Sequence, residues 1–188
     1  TGEIHFTFLI WNLFLAGLPL LASTAVRFLD VSGKLRWYNF IPILGFWLLF
    51  LPNAPYILTD LFHLRPRPSA PLWLDLMVIL SFAWNGLIMG FVSLLDMHDV
   101  VNKYAHKFWG WALALSALVA SSFGIYLGRF LRWNSWDIIN HPQELLRELA
   151  HMLCHPFSHP TMLGITFCFS GFLVLAYAFI VQLRGRIH

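Results

Sequence analysis

The chain has 188 residues, of which 59% are hydrophobic, 17% aromatic and only 11% charged, with a formal charge of +3. Soluble domains carry about 25% charged residues, so this composition excludes a water-facing globule and makes lipid the expected solvent. The small basic excess, with no basic face on a groove-entering helix, excludes nucleic acid as a partner, and Cys154 and Cys168 have neither disulfide-framework nor zinc-ribbon spacing.

A spanning helix needs about 20 mostly apolar residues. Five stretches qualify: about 4–26, 37–62, 72–95, 108–131 and 161–183. Their apolar runs are continuous rather than alternating, which excludes a β-barrel. The expected fold is all-α: a polytopic transmembrane helical bundle of about five spans, forming a single domain over 1–188. Pro52 and Pro55 break the second span. The connections 28–36, 65–71 and 96–107 are expected to be loops, and Asp96, His98, Asp99 and His106 to be solvated in the last of them. The longest connection, 132–160, should hold a short helix near 142–155 opened by Pro142. Its leucines gather on one face, which suits the membrane interface. The sequence opens on Thr1 rather than Met, so no leader is judged from its start.

With five crossings, Arg65, Arg67, Arg129, Arg132 and Arg147 fall on one membrane face. Arg27, Lys34, Arg36, Lys103, Lys107, Arg184 and Arg186 fall on the other. The second set is larger, which places the C-terminus in the cytoplasm of a multi-pass cell (inner) membrane protein.

The end of the second span reads LPNAPYILTDLFHL (51–64) and the end of the fourth GRFLRWNSWD (128–137). Proline removes a backbone donor and opens the helix, and Asn53 can answer a freed carbonyl. The break suits either a kinked helix end or a discontinuous helix around a polar cavity. Asp60 and His63 share a face if helical. So do Arg129 and Arg132, which either snorkel, bind an anion, or pair with Asp60, Asp75 or Asp137. The candidate polar cluster is therefore Asn53, Tyr56, Asp60, His63, Asp75, Arg129, Arg132, Asn134 and Asp137. Ser135 becomes a nucleophile only if a base such as His63 reaches it.

His151, His155 and His159 repeat at intervals of four, but HMLCH lacks the glutamate of a zinc-protease helix, so exposed histidines on an interfacial helix are expected. No metal or catalytic residue is assigned. No histidine falls in mid-span, which argues against haem between helices; a peripheral pigment or lipid is the remaining cofactor class. Gly86 and Gly90, and Gly124 and Gly128, form small-xxx-small pairs that predict contact between the third and fourth spans, with Trp84 and Asn85 nearby. Asn12 and Asn85 are expected to hydrogen-bond between helices.

LPNAPYILTDLFHL, WLDL (73–76) and GIYLGRFLRWNSWD (124–137) together resemble a bacterial integral-membrane family catalogued as domain of unknown function 1361, from about residue 37 to 183. The resemblance implies a small polytopic membrane protein and brings no activity, cofactor or substrate. The leading expectation is a non-catalytic accessory or scaffold subunit whose partners are membrane lipids and other membrane-protein subunits. The alternatives are binding or transport of a small ligand, lipid headgroup or ion at the polar face, and a hydrolase or transferase using Asp60, His63 and Asp137.

Overall fold

The computed structural model describes residues 7–65, 71–133 and 140–187, apart from the side chains of His63, Leu153 and Ile187. Its elements are α1 (Thr7–Val31), α2 (Trp37–Phe50), α3 (Asn53–Tyr56), a 3-10 helix (Ile57–His63), α4 (Leu72–Tyr104), α5 (Lys107–Phe130), α6 (Pro142–Cys154), a 3-10 turn (Pro156–Ser158) and α7 (Pro160–Ile187). Among the described residues there is no strand. Five segments are long and apolar enough to cross a membrane: Thr7–Val31, Trp37–Phe62, Leu72–Tyr104, Lys107–Phe130 and Pro160–Arg186. The protein is an all-α, multi-pass helical membrane protein.

The chain divides into two compact units, Thr1–Ala114 and Leu115–His188. In the first, α4 packs along α1, and α3 with the 3-10 helix packs against both. Its core holds Leu9, Ala16, Ala54, Ile57, Ile79 and Ala83. The turn from α1 to α2 follows local chemistry. Gly33 takes φ +66, and Lys34 N–H donates to Leu29 O at 2.9 Å, which is the glycine-closed helix end. Arg36 N–H then donates to Asn39 Oδ1 at 2.8 Å, and Asn39 Nδ2 donates to Lys34 O at 3.0 Å. One asparagine thus ties both sides of the turn and starts α2.

Pro52 and Pro55 do not stop the chain from coiling. Pro52 sits in helical φ/ψ and α3 follows it directly. Asn53 Nδ2 donates to Phe50 O at 2.9 Å, which satisfies a carbonyl at the break. Beyond Tyr56 the coil tightens to 3-10 geometry for seven residues, longer than such runs usually persist.

One expectation is overturned. Residues 96–107 do not form a solvated loop. Helix α4 continues to Tyr104, and Asp96 and His98 are buried, at 6% and 4% exposure. The stretch DMHDVVNKY contains neither glycine nor proline, so nothing breaks the backbone bonds. The length of the apolar run follows the bilayer; the helix itself has no need to stop there. His106 remains exposed, and its Nδ1 accepts from Phe108 N–H at 3.2 Å at the start of α5.

In the second unit, Tyr126, Met152 and Met162 form a small core flanked by Phe123, Leu127, Leu131 and Ile165. Trp133 Nε1–H donates to Glu148 Oε2 at 2.7 Å, tying α6 to the chain leaving α5. Pro142 opens α6 as anticipated. Leu145 and Met152 are buried while Leu146 is exposed.

Candidate functional site

The broken span brings its polar residues into the core of the first unit. Asp60 is 1% exposed and Thr59 equally buried. Asn12 Nδ2, on α1, donates to Asp60 Oδ2 at 3.0 Å, the inter-helix bond expected of Asn12. Thr59 Oγ1 donates to Tyr56 O at 2.7 Å. Asn53 and Tyr56 are half-buried. Asp75 is buried in the first turn of α4, where the helix dipole favours a carboxylate.

Arg129 and Arg132 belong to the second unit. They do not share a helical face, because α5 ends at Phe130 and Arg132 adopts φ +61. A left-handed backbone on a non-glycine residue carries a steric cost of about 1–2 kcal/mol. Trp133 N–H closes the end on Leu127 O at 3.1 Å. The Asp60–His63 pairing, Asn134, Ser135 and Asp137 lie outside the described residues and side chains.

The glycines behave differently from expectation. Gly86 and Gly90 take α3 as their neighbour. A Cβ on Gly86 would lie 2.9 Å from Ala54 O and 2.8 Å from Ile57 Cδ1, and one on Gly90 would lie 2.7 Å from Ala54 Cβ. The close approach on α4 therefore receives the proline-broken segment. Gly124 and Gly128 are half-buried in the second unit. Trp84 is 66% exposed. Asn85 is also exposed, and its amide donates to Ser81 O on its own helix at 2.8 Å instead of crossing to another.

A second polar band lies near the other end of α1 and α4, where the sequence had suggested only loop. Arg27 Nη1 donates to Asp96 Oδ1 at 2.7 Å, and Ser23 Oγ donates to Asp96 Oδ2 at 3.0 Å. A turn further on, Asp30 accepts Lys103 Nζ at 2.7 and 2.8 Å and Tyr104 Oη at 2.6 Å. Trp47, fully buried on α2, donates its indole N–H to Ser93 Oγ at 3.0 Å. The signal was present: Ser23, Arg27 and Asp30 fall on one helical face, as do Asp96 and Lys103, and their charges are complementary.

The histidines of the second unit gather loosely. The His151 ring lies 5.2 Å from that of His155 and 5.6 Å from that of His159, centre to centre. Nε2 of His159 is buried without a hydrogen-bond partner among the described residues. Among the described residues no group of three or more His, Cys, Asp or Glu side chains is arranged to hold a metal ion.

No curated protein and no solved structure is similar enough to this chain to match it. One family model does match, over residues 11–176, so the match extends well ahead of the motifs at 51–64 and takes in α1 with its Asn12, Ser23, Arg27 and Asp30. The chain belongs to the family described as protein of unknown function (DUF1361).

Proposed function

We propose that the chain is a non-catalytic accessory or scaffold component of the membrane, packing against lipids and other membrane-protein subunits. The observation that carries this reading is α7. It is apolar up to its last turn, which carries Arg184 and Arg186, yet only 11% of its most hydropathic stretch is buried, against 44% for α4. Phe167, Leu175 and Phe179 are 81%, 74% and 61% exposed. A helix that is hydrophobic all round needs an apolar environment on every side. The polar groups of the first unit support the same reading, since Asp60 and Asp96 are engaged by neighbouring helices. Purification from native membranes in a mild detergent tests it. A reproducible, stoichiometric membrane-protein partner is expected, lost when Phe167 and Leu175 are changed to alanine. Recovery of a lone monomer under conditions that preserve known complexes would count against the reading.

A second reading, binding of an anion or lipid headgroup at the polar face, is favoured by the left-handed backbone at Arg132, because strained residues often accompany binding sites. Under it, Arg129→Gln abolishes ligand binding and leaves the fold intact. For orientation, the end carrying Arg27, Lys34, Arg36 and Lys103 is assigned to the cytoplasm. Labelling of single cysteines placed at Lys34 and Arg65 from either side of sealed vesicles tests that assignment.

A further inference from the structure

The turn between α1 and α2 and the end of α4 border a half-open apolar cavity of about 330 Å³, lined by Leu35, Trp37, Phe40, Val100, Val101 and Tyr104, with Arg36 and Ala105 also on its wall. That volume is at the low end for ligand pockets, about 300–1,000 Å³. Its wall is almost wholly apolar surface. Trp37 and Tyr104 are 76% and 62% exposed, the position of aromatic side chains in an interfacial belt. The basic groups here differ in their pairing. Arg27 and Lys103 are neutralised by Asp96 and Asp30. Arg36 and Lys34 are exposed, and their side chains have no carboxylate partner among the described residues. The Asn39 clamp holds the backbone of Arg36 in place.

The geometry points to a binding site for one anionic phospholipid of the surrounding leaflet, with part of an acyl chain in this cavity and the phosphate on Arg36. Three features specify that occupant. The apolar wall excludes a polar solute, the unpaired guanidinium at the headgroup level selects negative charge, and the cavity lies at the end of two membrane-spanning helices, where lipid is the neighbour at highest concentration. Basic pockets between membrane helices take anionic headgroups in this way. The inference is independent of the scaffold reading.

The test uses the full chain reconstituted in vesicles of equimolar phosphatidylcholine and phosphatidylglycerol, then released into detergent for native mass spectrometry. The wild type is expected to retain one phosphatidylglycerol in preference to phosphatidylcholine. Arg36→Gln should lower that preference about fivefold, the equivalent of one basic contact at a membrane surface, and Arg36→Lys should restore most of it. Arg36 is exposed and only its backbone holds the turn, so these variants fold. Ala105→Trp, which fills the cavity from an exposed position, should remove bound lipid of either kind. Equal retention of the two lipids by the wild type overturns the proposal, as does unchanged phosphatidylglycerol in Arg36→Gln. Full retention in Ala105→Trp leaves only surface charge and overturns the cavity.

Discussion

Gly86→Ala isolates the contact on which the broken span rests. The new Cβ would meet Ala54 O at 2.9 Å and Ile57 Cδ1 at 2.8 Å. Both residues are fully buried, so neither can swing into lipid to make room. The methyl group itself favours helix by about 1 kcal/mol. Overpacking of a filled core costs about 1–3 kcal/mol, and here one of the two overlaps is with a backbone oxygen, which moves only if α3 moves. The backbone overlap puts the cost in the upper part of that range, about 2–3 kcal/mol, so the net loss is about 1–2 kcal/mol. At about 2–4 °C per kcal/mol for a chain of this size, the midpoint of thermal unfolding in detergent, followed by tryptophan fluorescence, should fall by about 2–8 °C.

Two companions make this specific. Gly17→Ala and Gly45→Ala place their Cβ in open space, so they should be neutral or stabilising. Ile57→Val removes the Cδ1 overlap and costs about 0.5–1.5 kcal/mol alone. Combined with Gly86→Ala it should lose less than the sum, while the clash with Ala54 O keeps the pair below Ile57→Val. A Gly86→Ala protein as stable as the wild type would refute the close approach of α3 to α4.

Asn12→Leu removes the bond that Asn12 donates to Asp60, and the unfolding midpoint should fall by the equivalent of about 1–3 kcal/mol; an unchanged midpoint would mean that bond contributes nothing. Arg27→Met leaves Asp96 with Ser23 as its hydrogen-bond partner among the described residues. With the Arg27 side chain 60% exposed, water takes part of its place, so the expected loss is about 1–2 kcal/mol, and adding Asp96→Asn should recover some of it in a double-mutant cycle. Arg132→Gly relieves the left-handed backbone and should raise the midpoint by the equivalent of about 1 kcal/mol; a fall would show that the arginine side chain contributes more than its backbone costs.

The spans were legible because lipid imposes a length and a composition on them, and these are properties of contiguous sequence. The helix at 142–154 was legible for a similar local reason, a proline at its first position and a one-sided leucine pattern. What escaped was pairing between distant residues. Asp96 has the same composition in a loop as in a buried helix; only Ser23 and Arg27, some seventy positions earlier, decide which. The glycines show the same limit. Gly86-x-x-x-Gly90 announces a close approach but does not name what approaches; in the structure it is Ala54 and Ile57 of the proline-broken span. At Arg132 the sequence had no cue: arginine three residues after Arg129 reads as continued helix until the backbone turns left-handed.

The proline break is best understood as half of a crossing. Helix α2 has 14 residues, about 21 Å at 1.5 Å per residue, which falls short of a hydrocarbon core of about 30 Å. The remaining distance is covered by α3 and the 3-10 helix. That geometry rises about 2.0 Å per residue, so its seven residues advance about 14 Å. Its polar residues follow from the same constraint. Asp60 lies on the part of the span where the helix is least regular, and Asn12 meets it from α1 near the corresponding end. At the opposite end Arg27 and Ser23 meet Asp96. With Asn12 and Arg27 fifteen residues apart on one helix, about 22 Å, the two polar contacts sit near the two edges of the apolar layer. They fix the register of α1 against its neighbours while leaving the middle to small buried residues such as Ala16 and Ala22, where a slip of one residue would otherwise cost little.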